Sequence, residues 1–336
     1  MEDKMLKVLY AGSPASSALT LKTLIENASA NGFEISGVLT NPPSAQGRHK
    51  TPVPTPVETL AHENNIPVFN PEHLDTACRE QIAPLNCDIL VCFAYGHIFG
   101  PKFMALFRFG GINLHPSALP EYRGCTPVNA AILNLKDETA FSIQKVSEKM
   151  DEGNLLAQGK ITLTKKETAG SLLNDAAEWG GKTLTEILKK ISENDAIEEG
   201  TPQSGNASYT KIIKKEDARI DWSKSAALID GMVRGYYPDP VAWTTENAIP
   251  LKIIGGRPLT DEEAASLSPE IASLVQAPAN EKQCGKVVQF VKSTGIIIQC
   301  GNGFYAVTQL QRQGKNPMDY KSFMNGARDF IGTILI

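Results

Sequence analysis

Long apolar segments are missing from this sequence: no stretch reaches the roughly eighteen consecutive apolar residues of a membrane-spanning helix. The opening residues, MEDKMLKVLYAG, run almost directly into a short apolar strand and lack the pattern of a secretory signal peptide. We therefore expect a protein with no membrane partner and a cytoplasmic location. Its 42% hydrophobic and 21% charged residues are the balance of an ordinary globular protein.

Groups of residues that form disulfides or bind metals are also missing. The six cysteines are scattered, without a C-x-x-C pair, and several lie in apolar runs. Such cysteines are typical of a reduced, cytosolic protein. The five histidines are equally dispersed, and no group of His, Cys and Asp has the spacing of metal ligands. We expect no bound metal.

Two catalytic fingerprints are absent. The first predicted strand ends in YAGSP rather than G-x-G-x-x-G, so the glycines that let a pyrophosphate approach the backbone are lacking. This argues against a nicotinamide-dependent oxidoreductase. Neither Ser117 nor Cys125 lies in an activating motif such as G-x-S-x-G. The nucleophile of any reaction would therefore come from a substrate.

A regular alternation of strand and helix patterns occupies the first part of the sequence. The predicted strands are Lys7–Tyr10, Ile35–Leu39, Pro67–Phe69, Asp88–Phe93, Gly111–Leu114, Phe141–Val146 and Leu156–Leu163. The predicted helices are Ser16–Asn27, Pro56–Asn64, Thr76–Ala83, Pro101–Phe107, Thr126–Leu135 and Ala169–Ser192. Such alternation indicates βαβ units around a mostly parallel sheet, an α/β fold.

The composition changes after the last of these helices. Residues Glu199–Ser208 are rich in Gly, Pro, Ser, Asn and Gln, which is typical of a linker. Short β-prone runs separated by Gly and Pro turns follow, and they predict a small antiparallel barrel or sandwich. The length of 336 residues also indicates two domains.

A polar pair lies at the end of the fifth predicted strand, in GINLHPSALPEYRG. Asn113 and His115 stand where an open parallel sheet binds its ligands, at the carboxyl ends of the strands. A turn-capping pair is the plainer interpretation. The loop that follows is restrained, because Pro116 and Pro120 fix two φ angles. A restrained loop keeps electrostatic groups in place, as a preorganised site requires.

Asp151 is the second candidate, in KMDEGNLL between two predicted strands. Taken alone, it is a turn aspartate before a glycine. If the fold brings it beside His115, its carboxylate would fix the tautomer of the ring and favour the imidazolium. An amide and an imidazolium are suited to stabilising an oxyanion, such as the one formed when an amine attacks a carbonyl.

The run VCFAYGHIFG ends another buried strand with an aromatic residue and a glycine. One interpretation is core packing before a helix, and it applies to Phe93 at least. The other interpretation is a floor for a flat aromatic ligand, with Tyr95 and Gly96 at the edge of the sheet. The residues alone leave both interpretations open.

The Pro-rich segment Asn41–Pro56 is predicted to be a long loop without secondary structure, with Arg48, His49 and Lys50 at its centre. It is either a solvated surface loop or a contact to phosphates. The net charge of −4 and the pI of about 5.8 provide no global indication of nucleic-acid binding.

Taken together, these motifs resemble the folate-dependent formyltransferase family. The core pattern of that family is N-x-H, a short loop ending in S-L-L-P, an aromatic residue and R-G. The matching positions are Asn113, His115, Ser117, Ala118, Leu119, Pro120, Tyr122, Arg123 and Gly124, with Ala118 in place of the usual leucine. The D-x-G loop of the family matches Asp151, and its A-Y-G matches Ala94, Tyr95 and Gly96.

Three later stretches, KKEDARIDWSKSA, RGYYPDPVAW and LQRQGKNPM, resemble the barrel domain of family members that act on tRNA. The resemblance implies a Rossmann-like, mostly parallel N-terminal formyltransferase domain over 1–205 and a linker over 206–216. It also implies a smaller C-terminal antiparallel, OB-like β-barrel over 217–336 that binds tRNA. The loop around Arg48 resembles an insertion that reaches toward the acceptor stem, with Ser44 where a further arginine often stands.

The activity implied by the resemblance is transfer of the formyl group of 10-formyltetrahydrofolate to the α-amino group of methionine on initiator tRNA. Asn113 and protonated His115 would hold the oxyanion, and Asp151 would orient His115 and help move protons. The implied folate-binding residues are Ser117, Ala118, Leu119, Pro120, Phe93, Ala94, Tyr95, Gly96, Met150 and Gly153. The implied tRNA-binding residues are Arg48, His49, Lys50 and Lys211.

We expect the protein to be a monomer. Two rival functions remain beside formyl transfer to tRNA. A related enzyme would formylate a small-molecule amine, such as a purine precursor or a nucleotide sugar. A protein that binds RNA through the barrel without catalysis is a rival from a different class. The intact Asn113, His115 and Asp151 speak against the second rival.

Overall fold

The computed structural model describes residues 5–46, 51–278 and 283–336. The predicted tRNA contacts Arg48, His49 and Lys50 lie outside the described residues. The chain divides into two compact units, which are Met1–Pro127 with Glu138–Thr162 and Ser171–Lys211, and Val128–Asp137 with Leu163–Gly170 and Ile212–Ile336. The predicted domain limits of 1–205, 206–216 and 217–336 stay a prediction.

The predicted alternation of strands and helices is confirmed from Leu6 to Asn194. The strands are β1 (Leu6–Gly12), β2 (Phe33–Leu39), β3 (Ser44–Gln46), β4 (Thr51–Val53), β5 (Val68–Phe69), β6 (Ile89–Phe93), β7 (Gly111–His115), β8 (Glu138–Lys145) and β9 (Leu155–Thr162). The helices are α1 (Ala15–Asn27), α2 (Pro56–Glu63), α3 (Thr76–Ile82), α4 (Pro101–Met104), α5 (Pro127–Leu133) and α6 (Ala169–Asn194).

Seven of these strands form one sheet in the order β5-β2-β1-β6-β7-β8-β9. The first five strands of this order, β5, β2, β1, β6 and β7, run parallel to one another. Strands β8 and β9 extend the sheet with antiparallel pairing. The predicted mostly parallel sheet is therefore confirmed. Strand β6 is buried along its whole length because its run ILVCF is apolar throughout, as a strand covered on both faces requires.

Apolar clusters cover both faces of this sheet. Successive side chains of a strand point to opposite faces, and accordingly Val8 and Tyr10 join one cluster while Leu9 and Ala11 join the other. Helix α6 covers the first face with its buried residues Ala177, Leu184, Leu188 and Ile191. The helix predicted over Ala169–Ser192 is thus confirmed.

The segment Asn41–Pro56 differs from its prediction as a loop without secondary structure. Strands β3 and β4 pair antiparallel there, with Ala45 opposite Pro52. A proline is tolerated in a two-stranded ribbon because each strand keeps one unpaired edge. The ribbon was not predicted because it lacks the alternation of apolar and polar residues that a buried strand shows.

The second unit is built on antiparallel strands. Its elements are α7 (Ala226–Gly235), β10 (Trp243–Glu246), β11 (Ile249–Leu259), α8 (Asp261–Leu267), α9 (Pro269–Gln276), β12 (Val287–Val291), β13 (Gly295–Gln299), β14 (Phe304–Arg312), β15 (Met318–Asp319) and α10 (Tyr320–Asn325). The sheet order is β10-β11-β14-β13-β12, with β15 beside β14. The short strands predicted for the second part of the sequence are confirmed, whereas the four short helices of this unit were not predicted.

The end of the described chain joins the two edges of this sheet. Backbone amides and carbonyls of Ile336 and Thr245, in β10, exchange two hydrogen bonds of 2.8 and 3.1 Å. Ile334 pairs with Lys286, and the carbonyl of Thr333 accepts from Val287, in β12, at 2.9 Å. These contacts curl the sheet into a barrel around a core that includes Leu335. The predicted antiparallel barrel is confirmed.

None of the helices in the described ranges combines the length and the apolar composition that crossing a membrane requires.

Candidate active site

Strand β7 places the first two candidate residues. Asn113 lies between Cys92 of β6 and Gln144 of β8, close to the carboxyl end of the strand. Its side chain is half-buried, and its amide makes no hydrogen bond to any residue that the structure describes. An amide of this kind is available to a ligand at the edge of the sheet, where parallel sheets bind their ligands.

His115 is buried, and its two ring nitrogens have different surroundings. Nε2 lies 2.9 Å from the backbone carbonyl oxygen of Tyr122. Because a carbonyl can only accept, Nε2 is the donor in this contact. Nδ1 lies 3.6 Å from Oδ2 of Asp151, which is an ion-pair distance but longer than a hydrogen bond. Nδ1 is thus the ring nitrogen that lies beside the carboxylate.

Asp151 is held by donors on both of its oxygens. The backbone N–H of Gly124 donates to Oδ2 at 2.8 Å, and Nε2 of Gln144 donates to Oδ1 at 2.8 Å. Its φ of 54° is left-handed, which aspartate tolerates in tight turns. Gly153 completes the turn because a Cβ there would lie 1.7 Å from the carbonyl oxygen of Lys145. The fold therefore brings Asp151 beside His115, as the sequence-based hypothesis requires.

The proline-containing loop after β7 is tied down by hydrogen bonds. Oγ of Ser117 donates to the carbonyl of Glu121 at 2.6 Å, and the carbonyl of Ser117 accepts from Oγ of Ser142 at 2.6 Å. Gly124 has a φ of 100°, and a Cβ there would lie 2.8 Å from the carbonyl oxygen of Thr210. Glycine is therefore required where the loop presents its N–H to Asp151.

The predicted folate-binding residues fall into two groups. Ser117, Leu119, Pro120, Phe93, Tyr95 and Gly153 are buried, whereas Ala94, Gly96 and Met150 are exposed and Ala118 is partly exposed. The ring of Tyr95 stacks on that of Phe99 at 5.7 Å inside the core, so a ligand would contact its backbone and not its ring. A Cβ at Gly96 would meet nothing within 4 Å, which leaves room for a ligand over this turn.

Several residues around Asp151 were not among the predicted site residues. Arg123 lies in the family motif, yet its part in the site was not anticipated: its guanidinium pairs with Glu152 at 3.0 Å and donates to the hydroxyl of Tyr209 at 2.9 Å. It also donates twice to Gln203. Gln203 carried no signal because its Gly- and Pro-rich surroundings indicated a linker. The predicted Lys211 is exposed, and its carbonyl accepts from Oγ1 of Thr126 at 2.9 Å.

The cysteines of the first unit differ in accessibility. Cys125 follows Gly124 and is exposed, whereas Cys92 and Cys87 are buried, and burial raises the pKa of each of these two thiols to about 12. Because the thiolate is the reactive form, we expect iodoacetamide at neutral pH to modify Cys125 first in the native protein. Timed alkylation and peptide mass spectrometry measure the order. Equal rates at Cys92 and Cys125 would contradict it, and Cys125→Ser is the control that removes the fast reaction.

Across the described residues, no group of three or more His, Cys, Asp and Glu side chains is arranged to hold a metal ion.

Comparison with known proteins identifies the family. The formyl transferase family pattern matches residues 6–188, and the pattern of the formyl transferase C-terminal domain matches residues 212–328. The methionyl-tRNA formyltransferase of Treponema denticola is 38% identical over 97% of this chain and 98% of that protein. That of Pseudoalteromonas translucida is 33% identical over 98% of this chain and 97% of its own length.

A solved structure shares the fold. HypX from Aquifex aeolicus, in complex with tetrahydrofolic acid, superimposes with a TM-score of 0.62 at 13% identity. The match covers 96% of this chain and 47% of HypX, so the chain spans about half the length of that protein. With both family patterns matched, and with relatives this similar over nearly their whole length, the chain belongs to the formyltransferase family.

Proposed function

We propose that this chain transfers the formyl group of 10-formyltetrahydrofolate to the α-amino group of methionine on initiator tRNA. The observation that carries the proposal is the distance of 3.6 Å between Nδ1 of His115 and Oδ2 of Asp151, with Asn113 two positions before His115 on the same face of β7. The structure provides no protein nucleophile in this trio, which agrees with an amine substrate attacking a formyl carbonyl.

The three side chains have separate roles in this reaction. The amine nitrogen attacks the formyl carbon, a C–N bond forms, and the carbonyl oxygen becomes an oxyanion. The amide of Asn113 and the protonated Nδ1 of His115 donate to that oxyanion. Asp151 accepts the proton that the amine loses and returns it to N10 of the folate as the bond from N10 to the formyl carbon breaks. Removing one such donor from an oxyanion site costs about 10²- to 10³-fold in rate.

The turn at the end of β6 offers exposed backbone to a flat, hydrogen-bonding ligand. Ala94 and Gly96, at the end of β6, have left-handed φ angles of 52° and 87°. Both residues are exposed, and a pteridine ring offers donors and acceptors along one edge that such backbone groups can pair with. We propose that the folate contacts these backbone groups and the loop of Ser117, Ala118, Leu119 and Pro120, with Met150 and Gly153 at the loop of Asp151.

The formyl acceptor is proposed from the similarity of this chain to known relatives. Two proteins at 38% and 33% identity over almost the whole chain are methionyl-tRNA formyltransferases. The second unit also carries a cationic and aromatic surface, in which Lys215 and Arg219 flank the ring of Trp243 at 5.8 and 5.7 Å. Positive side chains beside an aromatic ring suit an RNA, whose phosphates and bases they can bind. We place such an enzyme in the cytoplasm, as a monomer.

Incubation with formyl-labelled 10-formyltetrahydrofolate tests this function directly. We expect label to move to methionine on initiator tRNA, with much less on methionyl elongator tRNA and none on free methionine or on a small amine such as an amino sugar nucleotide. Acid gel electrophoresis separates formylated from free methionyl-tRNA. Transfer to a small amine at the same rate would favour the alternative enzyme, and no transfer to any amine would disprove the function.

Arg48 is the basic residue that the resemblance assigns to tRNA. We expect Arg48→Ala to raise KM for tRNA and to lower the salt dependence of tRNA binding by about one unit of slope, because one phosphate contact is lost. KM for the folate should stay unchanged. Kinetics at several salt concentrations measure both constants, with Lys22→Ala, an exposed lysine of α1 that pairs with Glu26, as the control. A changed folate KM with unaltered tRNA kinetics would contradict the assignment.

A further inference from the structure

Gln203 connects two parts of the proposed site through both ends of its side-chain amide. Its Nε2 lies 2.8 and 2.9 Å from the backbone carbonyl oxygens of Asp151 and Gly153 and 3.2 Å from Oε1 of Gln144, so its two hydrogens are shared among three acceptors. Its Oε1 accepts from Nε and Nη2 of Arg123 at 3.2 and 2.8 Å. The amide thus lies between a cation and the loop that carries Asp151.

Arg123 sets which end of this amide faces which partner. A guanidinium group can only donate, so the oxygen of Gln203 must face Arg123. The NH₂ group of Gln203 must then face the other partners, and all of these are oxygen acceptors. The reversed amide would put donors against Arg123 and an oxygen against three oxygens, so the network admits one orientation.

The orientation of the Gln203 amide also fixes the orientation of the Gln144 amide. Its Oε1 faces the NH₂ group of Gln203, so its own Nε2 is left to face Asp151, where it donates to Oδ1 at 2.8 Å. Gln144 is buried, and the side chain of Arg123 is only 11% exposed. In a buried network an amide in the wrong orientation leaves unpaired polar groups, which are costly at low dielectric.

We propose that Arg123, Gln203 and Gln144 form a positioning relay, in which Arg123 and the backbone carbonyls of the Asp151 loop fix the direction of two amides and so aim the carboxylate of Asp151 at His115. This inference rests on the proposed function, because it assigns these residues to the formyl-transfer site. None of the three needs to touch a substrate. They act through Asp151, and the guanidinium is itself anchored by Glu152 and Tyr209.

Gln203→Glu tests the relay with little change of shape. A glutamate can still accept from Arg123, but it cannot donate to the carbonyls of Asp151 and Gly153 or to Oε1 of Gln144. We expect kcat to fall about 10²-fold, the size of effect that a misplacement of about 1 Å has on a catalytic group. KM for both substrates should change less than about 3-fold. A purely structural role would lower the melting temperature without this separation of kcat from KM.

Asn154→Ala is the matched control. Nδ2 of Asn154 donates to the carbonyl of Glu199 at 3.0 Å, so it joins the same two stretches of chain as Gln203 does without contacting Asp151. We expect its kcat to remain within about 2-fold of the native value, as for a surface substitution of this kind. A loss of kcat in Asn154→Ala as large as that in Gln203→Glu would overturn the relay, because joining the two stretches would then be the whole effect.

A double-mutant cycle tests whether Gln203 acts through Gln144. Once Gln144→Ala has removed the donor to Oδ1, adding Gln203→Ala should lower kcat by a smaller factor than it does in the native background, since residues of one network are not additive. Losses that multiply would show two independent effects and would overturn the relay.

A readout that needs no substrate separates this proposal from the proposed function. In protein labelled with ¹⁵N, the side-chain amide signal of Gln144 should shift in Gln203→Glu and stay in place in Asn154→Ala. If native protein formylates no amine, the proposed function fails while this signal still reports on the network. If native protein is active but Gln203→Glu keeps both its kcat and the Gln144 signal, only the relay is wrong.

Discussion

Asp151→Asn is expected to lower kcat by about 10³- to 10⁴-fold, comparable to the loss when an amide replaces the carboxylate that orients a catalytic histidine in serine proteases. Both oxygens of Asp151 accept from fixed donors, the N–H of Gly124 and Nε2 of Gln144. An asparagine must turn its NH₂ group toward one of these donors, so one contact becomes repulsive. It also loses the charge beside His115 and the capacity to take a proton. Single-turnover formyl transfer measures the loss.

Asp195→Asn is the matched control for this substitution. Asp195 also has a left-handed φ, of 51°, and also pairs with a basic group, Nη1 of Arg108 at 2.6 Å. It lies next to the end of α6 and contacts none of the three proposed catalytic residues. We expect its kcat to remain within about 2-fold of the native value. If Asp151→Asn retained more than a tenth of the native kcat, the proposed role of its carboxylate would be wrong.

Asn113→Ala is expected to lower kcat about 10²- to 10³-fold, because it removes a donor that acts on charge developing in the transition state. KM for folate and for tRNA should hardly change, since the donor acts on the transition state and not on the bound substrates. Rapid-quench kinetics of formyl transfer, together with tRNA binding measured by filter retention, test both expectations.

The melting temperature of Asn113→Ala separates a loss of catalysis from a loss of stability. The amide of Asn113 makes no hydrogen bond to a described residue, so its removal leaves no partner unpaired within the part of the chain that the structure describes. We therefore expect a large loss of kcat with a small change in melting temperature. Asn64→Ala on the exposed end of α2 loses one local bond to Leu60 and should change neither quantity much. Unchanged turnover in Asn113→Ala would disprove the oxyanion site.

Much of the architecture follows from local patterns in the sequence. The alternation of strands and helices predicts parallel pairing, and the apolar run of β6 predicts cover on both faces. Asn113 and His115 could be placed at the edge of the sheet for the same reason, because the carboxyl ends of parallel strands lie there. The change to short strands and Gly or Pro turns predicted the antiparallel second unit. Each of these inferences uses a periodicity or a composition that a few neighbouring residues carry.

The site itself depends on contacts between distant residues. Strand β8 pairs antiparallel with β7, from Ser142 beside His115 to Lys145 beside Ile112. Asp151 lies in the loop that follows β8, and contacts with residues distant in the sequence bring its carboxylate beside His115. Its carboxylate is oriented by Gly124, by Gln144 and, in our proposal, by Gln203 and Arg123. Local composition indicated only a turn for Asp151 and a linker for Gln203, because a pairing across 52 positions leaves no periodic trace.

The ring of Tyr95 shows the same division between sequence and structure. Its strand end was predicted from the sequence, but the direction of the side chain was not. The fold buries that ring against Phe99 and leaves the backbone of Ala94 and Gly96 exposed. The sequence by itself determined the fold class and the residues that could do chemistry. Only the tertiary structure decided which of them meet, because long-range pairing sets their distances and the orientation of their donors and acceptors.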